Sequence, residues 1–393
     1  MNRGQRTAIL HLACFALLVS GCSVFQLSEP LRIEAGDWTT EGGSSARTNA
    51  TDRTLEPPLE VVWDYDADAA FGPAAAVVAD EVVIVVTRKG EIRGIGLEDG
   101  RKRGVGDLRE PIEGAPVLTR RMIYAPIAAG KHTLIGHDFV DGRRKWALRA
   151  GPHHAGLLLA QNTLVAAGLD GTVRAIDPAD GTIRWTAKPD STAGFFATPV
   201  AFGDATIAVA DDRGRVTALD LATGAAQWTQ WLDAPVYETP AVHDGQVFVP
   251  TIGGRFVALD VATGDPQWMF ELENDEVKFS APAVSDGLVV VGASDGRLRA
   301  LDPASGEEKW SYRADGNFAS APLIAGGVIY AGALDQYLYA FGRDSGELLW
   351  QHKLDGRIKS TPVLHEDWLI VLAEPKHVHA FQSVSPMAAT TDE

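Results

Sequence analysis

The chain has 393 residues, 22% of them charged, and a formal net charge of −17, with 46% hydrophobic residues. So acidic a chain repels phosphate backbones, which excludes nucleic-acid binding and argues against broad adhesion to anionic lipid headgroups. The only cysteines are Cys14 and Cys22, so the fold must rest on its hydrophobic core, which a chain of this length can build.

Residues 1–21 carry Arg3 and Arg6, then an apolar run from Ala8 to Val19, then small residues. This is the layout of an export signal peptide, too short to span a membrane. Val19-Ser20-Gly21-Cys22 resembles the bacterial lipobox, which implies cleavage before Cys22 and acylation of that cysteine with palmitate-type chains. Ordinary cleavage near Ser20–Gly21 would instead leave Cys22 a free thiol, since Cys14 departs with the signal. One acyl chain holds a membrane only marginally, at about 0.8 kcal/mol per buried methylene, so several chains on Cys22 give stable lipid attachment. Ser23, rather than Asp, follows; by the sorting pattern this resembles, the protein is an outer-membrane lipoprotein facing the periplasm. Residues 22–57 are expected to form a lipidated tether, "SVFQLSEP", and a lead-in segment.

From 58 to 383 the chain repeats itself. "IDPADGTIRW" ends at Trp185, "LDLATGAAQW" at Trp228, "LDVATGDPQW" at Trp268 and "LDPASGEEKW" at Trp310, with looser copies ending at Trp146 and Trp350. The glycines of the phrase, Gly100, Gly142, Gly181, Gly224, Gly264, Gly306 and Gly346, recur at intervals of about 40 residues. Small or Pro residues open an apolar strand at Ala76, Pro116, Gly156, Pro199, Pro240, Pro282, Pro322 and Pro362. The Trp slot runs Trp63, Gly104, Trp146, Trp185, Trp228, Trp268, Trp310, Trp350. Each unit reads as four short strands, with Asp-Gly at a hairpin position as in Asp295-Gly296. A repeated four-stranded unit of about 40 residues marks a β-propeller, and eight slots give eight blades.

The two registers are offset, and the offset predicts closure. Trp63 precedes the first strand-opening slot, while the last unit ends at "HVHAFQS" without a Trp strand. The N-terminal strand is therefore expected to complete the last blade. Gly104, alone without an indole, predicts a thinner and less well packed blade at its slot. In the phrase, Asp177, Asp220, Asp260 and Asp302 are expected to accept backbone N–H groups across the turn from the third to the fourth strand, with Gly supplying positive φ. The carboxylate spacing does not fit a calcium loop, and the structural Trp residues are expected to pack between blades. Arg101-Lys102-Arg103, Arg120-Arg121 and Arg143-Arg144-Lys145 read as solvated turn residues that make the first blades locally basic. The tail, 384–393, reads as disordered and dispensable.

The unit "tPxv.dg.vyvg..dG.l.AlD..tG...W" resembles the PQQ-type propeller repeat over 58–383, the eight-bladed fold of quinoprotein alcohol dehydrogenases that is shared by the BamB-type outer-membrane assembly lipoproteins. Trp38 to Asn49, "WTTEGGSSARTN", resembles the lead-in found ahead of many such propellers. The dehydrogenase resemblance implies a quinone held between a Trp floor and a disulfide of adjacent cysteines, beside a calcium ion. No adjacent cysteines occur here, and the long insertions of those enzymes are missing. No Ser/His/Asp arrangement is apparent, and His377 and His379 are too close for a zinc pattern without further ligands. The reading is a non-catalytic scaffold with no catalytic residue, metal or cofactor. The BamB resemblance implies docking on the barrel-insertion (BamA-like) protein and other assembly lipoproteins during assembly of outer-membrane β-barrels. The alternatives are a quinoprotein dehydrogenase or a ligand-binding propeller of another envelope complex. A ligand funnel, if present, is expected from residues ahead of the strand-opening slots: His153, His154, Phe195, Phe196, Tyr237, Glu238, Lys278, Phe279, Asn317, Phe318 and Lys359. Ordinary rim and blade-packing roles are the plainer alternative for them.

Overall fold

The structure is a computed structural model that describes residues 25–189, 192–203 and 205–384. Cys22 with the whole signal segment, and the tail beyond Val384, lie outside the described residues. Among the described residues the regular elements are strands, and they form eight antiparallel blades. Blades 1 to 7 occupy 77–107, 117–148, 158–187, 200–231, 241–271, 283–313 and 323–353. Within each, the four strands lie in sequence order from the first, nearest the axis, to the outer edge.

Blade 8 is assembled from both ends of the chain. Arg357–Ile358 and Val363–His365 pair with Trp368–Glu374, which pairs with His377–Ser383. The outer strand is Leu59–Asp66, antiparallel to His377–Ser383 from Leu59↔Ser383 to Asp66↔His377. Ring closure by the N-terminal strand, expected from the register offset, is what the structure contains. Val384 donates its backbone N–H to the Pro58 carbonyl at 2.9 Å, so the seam runs one residue past the final strand.

The repeated phrase is a joint between consecutive blades. Asp302 accepts the backbone N–H groups of Ala304 and Ser305 at 2.9 and 3.1 Å, and Asp177, Asp220 and Asp260 do the same in their turns. Gly306 has φ +75°, and a Cβ there would meet the Trp268 ring of the preceding blade at 2.5 Å. Trp268 then donates its indole N–H to the Pro303 carbonyl at 2.7 Å. The same donation runs from Trp63 to Leu97, Trp146 to Pro178, Trp185 to Leu221, Trp228 to Val261 and Trp310 to Arg343. In each case the acceptor is the residue just after the first position of the next blade's turn. Trp350 faces blade 8, where chain ends replace that turn, and packs on His352 and Phe381 instead.

A second regularity makes room for the indoles. The residue paired across from each Trp is Ala or Gly, as in Ala300↔Trp310, Gly136↔Trp146 and Ala380↔Trp63. A β-bulge follows at the same place in every blade, and the extra residue increases the local twist that fans the blades around the axis.

The expectation for Gly104 is corrected. The slot is not thin, because Phe25 fills it. Phe25 is 1% exposed; it packs where a Cβ on Gly94, Gly104 or Gly106 would lie and meets Phe139 edge-on at 6.1 Å between ring centres. The carbonyl of Phe139, at the position that elsewhere receives an indole N–H, accepts the Leu27 backbone N–H at 2.7 Å. One leader peptide thus supplies both the missing aromatic ring and the missing donor. "SVFQLSEP" is therefore no free tether from Phe25 onward: His137 Nε2 bonds to the Phe25 carbonyl at 2.7 Å, Gln26 to Val140 and the Leu31 N–H to Arg120.

Candidate functional site: the axial mouth

The lead-in 38–49 travels round the inner edge of the ring. Carbonyls of Trp38, Thr39, Ser45, Ala46, Thr48 and Asn49 accept N–H groups from Val78, Leu118, Ala201, Val242, Val284 and Ile324, all at 2.7–3.0 Å. Those donors sit on the first strands of blades 1, 2, 4, 5, 6 and 7. Blade 3 is reached through Arg47, whose guanidinium donates to the Leu157 carbonyl at 2.6 Å. The chain then joins blade 7 as a short parallel strand, Ala50–Thr51. The lead-in thus lines an axial opening of the ring, to which Glu41 also contributes.

That opening is a cavity of about 280 Å³ on the axis, to which all eight blades contribute residues just ahead of or at their strand-opening slots. Strands alternate in direction, so the cavity lies at the end where first strands begin. The Asp…Gly turns between third and fourth strands lie at the opposite end of the ring. We refer to these ends as the mouth face and the turn face.

The proposed funnel residues divide by alternation along each segment. His154, Phe196, Tyr237, Glu238 and Lys359 line the cavity. His153, Phe195, Phe279 and Phe318 point the other way and are at most 2% exposed, inside the blades. Lys278 is exposed and Asn317 half-buried, and neither lines the cavity. The aromatic members form a short series, with His154 against Phe196 at 5.8 Å and Phe196 against Tyr237 at 5.1 Å.

Sequence reading missed Glu41 and Glu113, charged groups that line the mouth, and the buried Arg47 of the lead-in. Glu41 accepts the Thr198 hydroxyl at 2.7 Å. Arg47, 1% exposed, holds the lead-in folded by donating to the Thr40 hydroxyl and the Glu41 carbonyl. Burial pulls its guanidinium down to about 10, with Glu41 opposing, so it stays protonated at neutral pH. Burial, and secondarily Glu41, push the Glu238 carboxyl up to about 7. The Glu238 side chain opens onto the cavity. Glu113 pairs with Arg88 at 3.2 Å and Lys359 with Glu374 at 2.7 Å. What remains for a ligand is a polar, acid-lined mouth with an aromatic wall. The only signal for Glu41 and Arg47 was the lead-in motif itself, which gives no hint that it lines the inner edge of the ring.

A second cluster lies on the seam. His377 Nδ1 is 2.9 Å and His379 Nδ1 3.7 Å from Asp64 Oδ1, a ligand set of a kind that binds zinc. Asp64 is the further ligand the two histidines lacked in sequence, brought in only by closure. As for a quinone, the residues lining the mouth include neither a tryptophan nor a cysteine, so they do not fit that cofactor as the dehydrogenase resemblance would require.

Eight four-stranded blades, an aromatic joint between them and an axial mouth define an eight-bladed PQQ-type propeller. A family model described as "Outer membrane protein assembly factor BamB" matches residues 55–169 and 169–383, and the chain belongs to that family. BamB of Yersinia pestis is 25% identical over 269 residues, 62% of this chain and 65% of that relative's length. Among solved structures, BamB from Moraxella catarrhalis has a TM-score of 0.69 at 20% identity, covering 82% of this chain and 99% of that one. Quinohemoprotein alcohol dehydrogenase from Comamonas testosteroni reaches a TM-score of 0.76 at 15% identity, covering 90% of this chain and 82% of its own. Both of these likenesses are of fold.

Proposed function

We propose that the protein is a non-catalytic, periplasm-facing lipoprotein of the outer membrane, anchored through Cys22, that acts as a scaffold in assembly and insertion of outer-membrane β-barrels. The observation that carries this reading is the family match across the whole ring. Its partners in this role are the barrel-insertion (BamA-like) protein and the other assembly lipoproteins.

The outer edges of the blades support the reading on physical grounds. Outer strands have a free backbone edge, and several carry exposed apolar side chains: Ile183, Trp231, Met269, Leu349 and Val62, 44–52% exposed. A free edge beside an apolar side chain accepts an extended segment by backbone hydrogen bonding while a pocket reads its side chain. Extended segments are what an unassembled β-barrel offers. Crosslinking of the lipidated protein in native outer membranes tests the role: recovery of the barrel-insertion protein is expected, and its absence with another complex enriched overturns the reading. Reconstitution with PQQ and calcium is expected to give no quinone absorbance band; a stoichiometric band would favour the dehydrogenase alternative.

A further inference from the structure

The leader and the basic residues of blades 1 and 2 lie at one place. Phe25 occupies the vacant Trp slot between these blades, and the Leu27 backbone N–H donates to the Phe139 carbonyl in the blade 2 turn. Arg101–Arg103 follow the blade 1 turn at Gly100, and Arg143–Lys145 follow the blade 2 turn at Gly142. Arg120 and Arg121 form the turn from the first to the second strand of blade 2, which strand alternation also places on the turn face. The Arg120 carbonyl receives the Leu31 N–H of the leader. All eight basic side chains are exposed. Arg103 pairs with Asp99, Arg121 with Asp138 and Lys145 with Asp141, whereas Lys102, Arg120, Arg143 and Arg144 have no ion pair among the described residues.

We infer that the outer rim of blades 1 and 2, on the turn face, is the membrane-facing surface of the protein and contacts anionic lipid headgroups. This rests on the lipid-anchored reading of Cys22. Two residues, Ser23 and Val24, separate Cys22 from Phe25, a span of at most about 11 Å even fully extended, so a docked Phe25 holds the acylated residue within one headgroup layer of the rim. A chain whose net charge is −17 is repelled by an anionic leaflet everywhere except where it turns a basic patch toward it. The docked leader fixes that patch as the side nearest the lipid. The mouth face, at the other end of the axis, is then directed into the periplasm, where a partner or client reaches the acid-lined mouth without competing with the bilayer. The vacancy at Gly104 acquires a purpose: an indole there would shut out the leader and leave the ring free to tumble on its anchor.

The test uses full-length lipidated protein in vesicles of phosphatidylethanolamine and phosphatidylglycerol bearing a headgroup spin label. With Cys22 acylated, a single introduced cysteine carries the fluorophore, at Arg144→Cys on the rim or Lys278→Cys toward the mouth face. Several-fold stronger headgroup quenching at 144 than at 278 is expected, and equal quenching overturns the inference. Leu27→Pro, which removes the N–H donated to Phe139, is expected to keep the protein on the vesicles and abolish the difference; a persistent difference shows that the docked leader does not orient the ring. The double variant Lys102→Glu, Arg143→Glu is expected to lower rim association by about five-fold per residue, a basic side chain near a charged leaflet contributing on that scale, and to remove its salt dependence. No change on that substitution overturns the anionic-lipid contact. Mass spectrometry of the N-terminal peptide separates the two levels: an unacylated Cys22 defeats the anchored reading and the orientation with it, whereas acylated protein with equal quenching defeats the orientation alone.

Discussion

Trp63→Ala is the perturbation that bears most directly on how the ring shuts. Trp63 is 8% exposed, lies where a Cβ on Gly100 would be and donates its indole N–H to the buried Leu97 residue's carbonyl at 2.6 Å. Truncation removes the ring's packing, about 3–5 kcal/mol for a large aromatic reduced to Ala. It also leaves the Leu97 carbonyl unpaired, a penalty of about 1–3 kcal/mol where water does not replace the donor. We expect a loss of about 4–8 kcal/mol by urea denaturation. Trp63→Phe, which keeps most of the packing, is expected to lose about 1–2 kcal/mol. The control is Trp268→Ala, which deletes an equivalent joint between blades 5 and 6, with its donation to Pro303 at 2.7 Å. If Trp268→Ala costs about 4 kcal/mol and Trp63→Ala less than about 1 kcal/mol, closure does not load on the Trp63 joint, and the Leu59–Asp66 ladder alone holds the seam. The reasoning given for the repeat would then fail at the seam.

Further expectations follow from individual groups. Gly306→Ala forces a side chain onto φ +75° and into the Trp268 ring, so a loss of more than about 2 kcal/mol is expected in the same assay, against less than about 0.5 kcal/mol for an exposed site such as Glu307→Ala. Burial pulls the His153 imidazole down to about 4 from an unfolded value near 6.5. The unfolded chain therefore binds more protons between those limits, and the stability conferred by neutral His153 falls as pH drops through that window, by about 3 kcal/mol in full; unfolding of His153→Gln at pH 7 and pH 4.5 is expected to show a correspondingly weaker pH dependence. Glu238 has its carboxyl raised toward 7, so its protonated form stabilises the fold below the unfolded value and that contribution is lost as pH rises through 7. Glu238→Gln is expected to gain stability relative to the parent at pH 8 and not at pH 4, measured as the shift in Tm. Phe25→Ala empties the Gly104 slot, and hydrogen exchange at the Leu27 and Leu31 amides is expected to lose protection while the joint between blades 5 and 6 keeps its own.

Much of the ring was legible because its parts are local. Asp302, Gly306 and Trp310 belong to one turn and one strand, and their chemistry is set within ten residues. Repetition then multiplies a weak local signal into an architecture. The eight blades and the seam between Leu59–Asp66 and His377–Ser383 follow from counting slots, since a ring with a missing last strand and a surplus first strand has one economical solution. The funnel was half legible. Residues at the strand-opening corners were found, but alternation sends His154 and Phe196 into the mouth and their neighbours His153 and Phe195 into the blades, and the phase of a loop cannot be read from its composition.

What the sequence determined by itself is the repeat: a carboxylate and a glycine for each turn, an aromatic for each joint, and a chain offset that closes on itself. What only the tertiary structure decided is how segments with no periodicity use the surfaces the repeat leaves behind. Nothing in "SVFQLSEP" announces that Phe25 replaces an indole beside Gly104, because the vacancy and its occupant are nearly 80 residues apart and share no motif. Nor does the lead-in announce that Glu41 lines the mouth and Arg47 bonds to blade 3, or Asp64 that it meets His377 and His379 from the other end of the chain. Such contacts are set by the shape of a finished ring, whose unpaired carbonyls and unfilled slots exist only once all eight blades are in place.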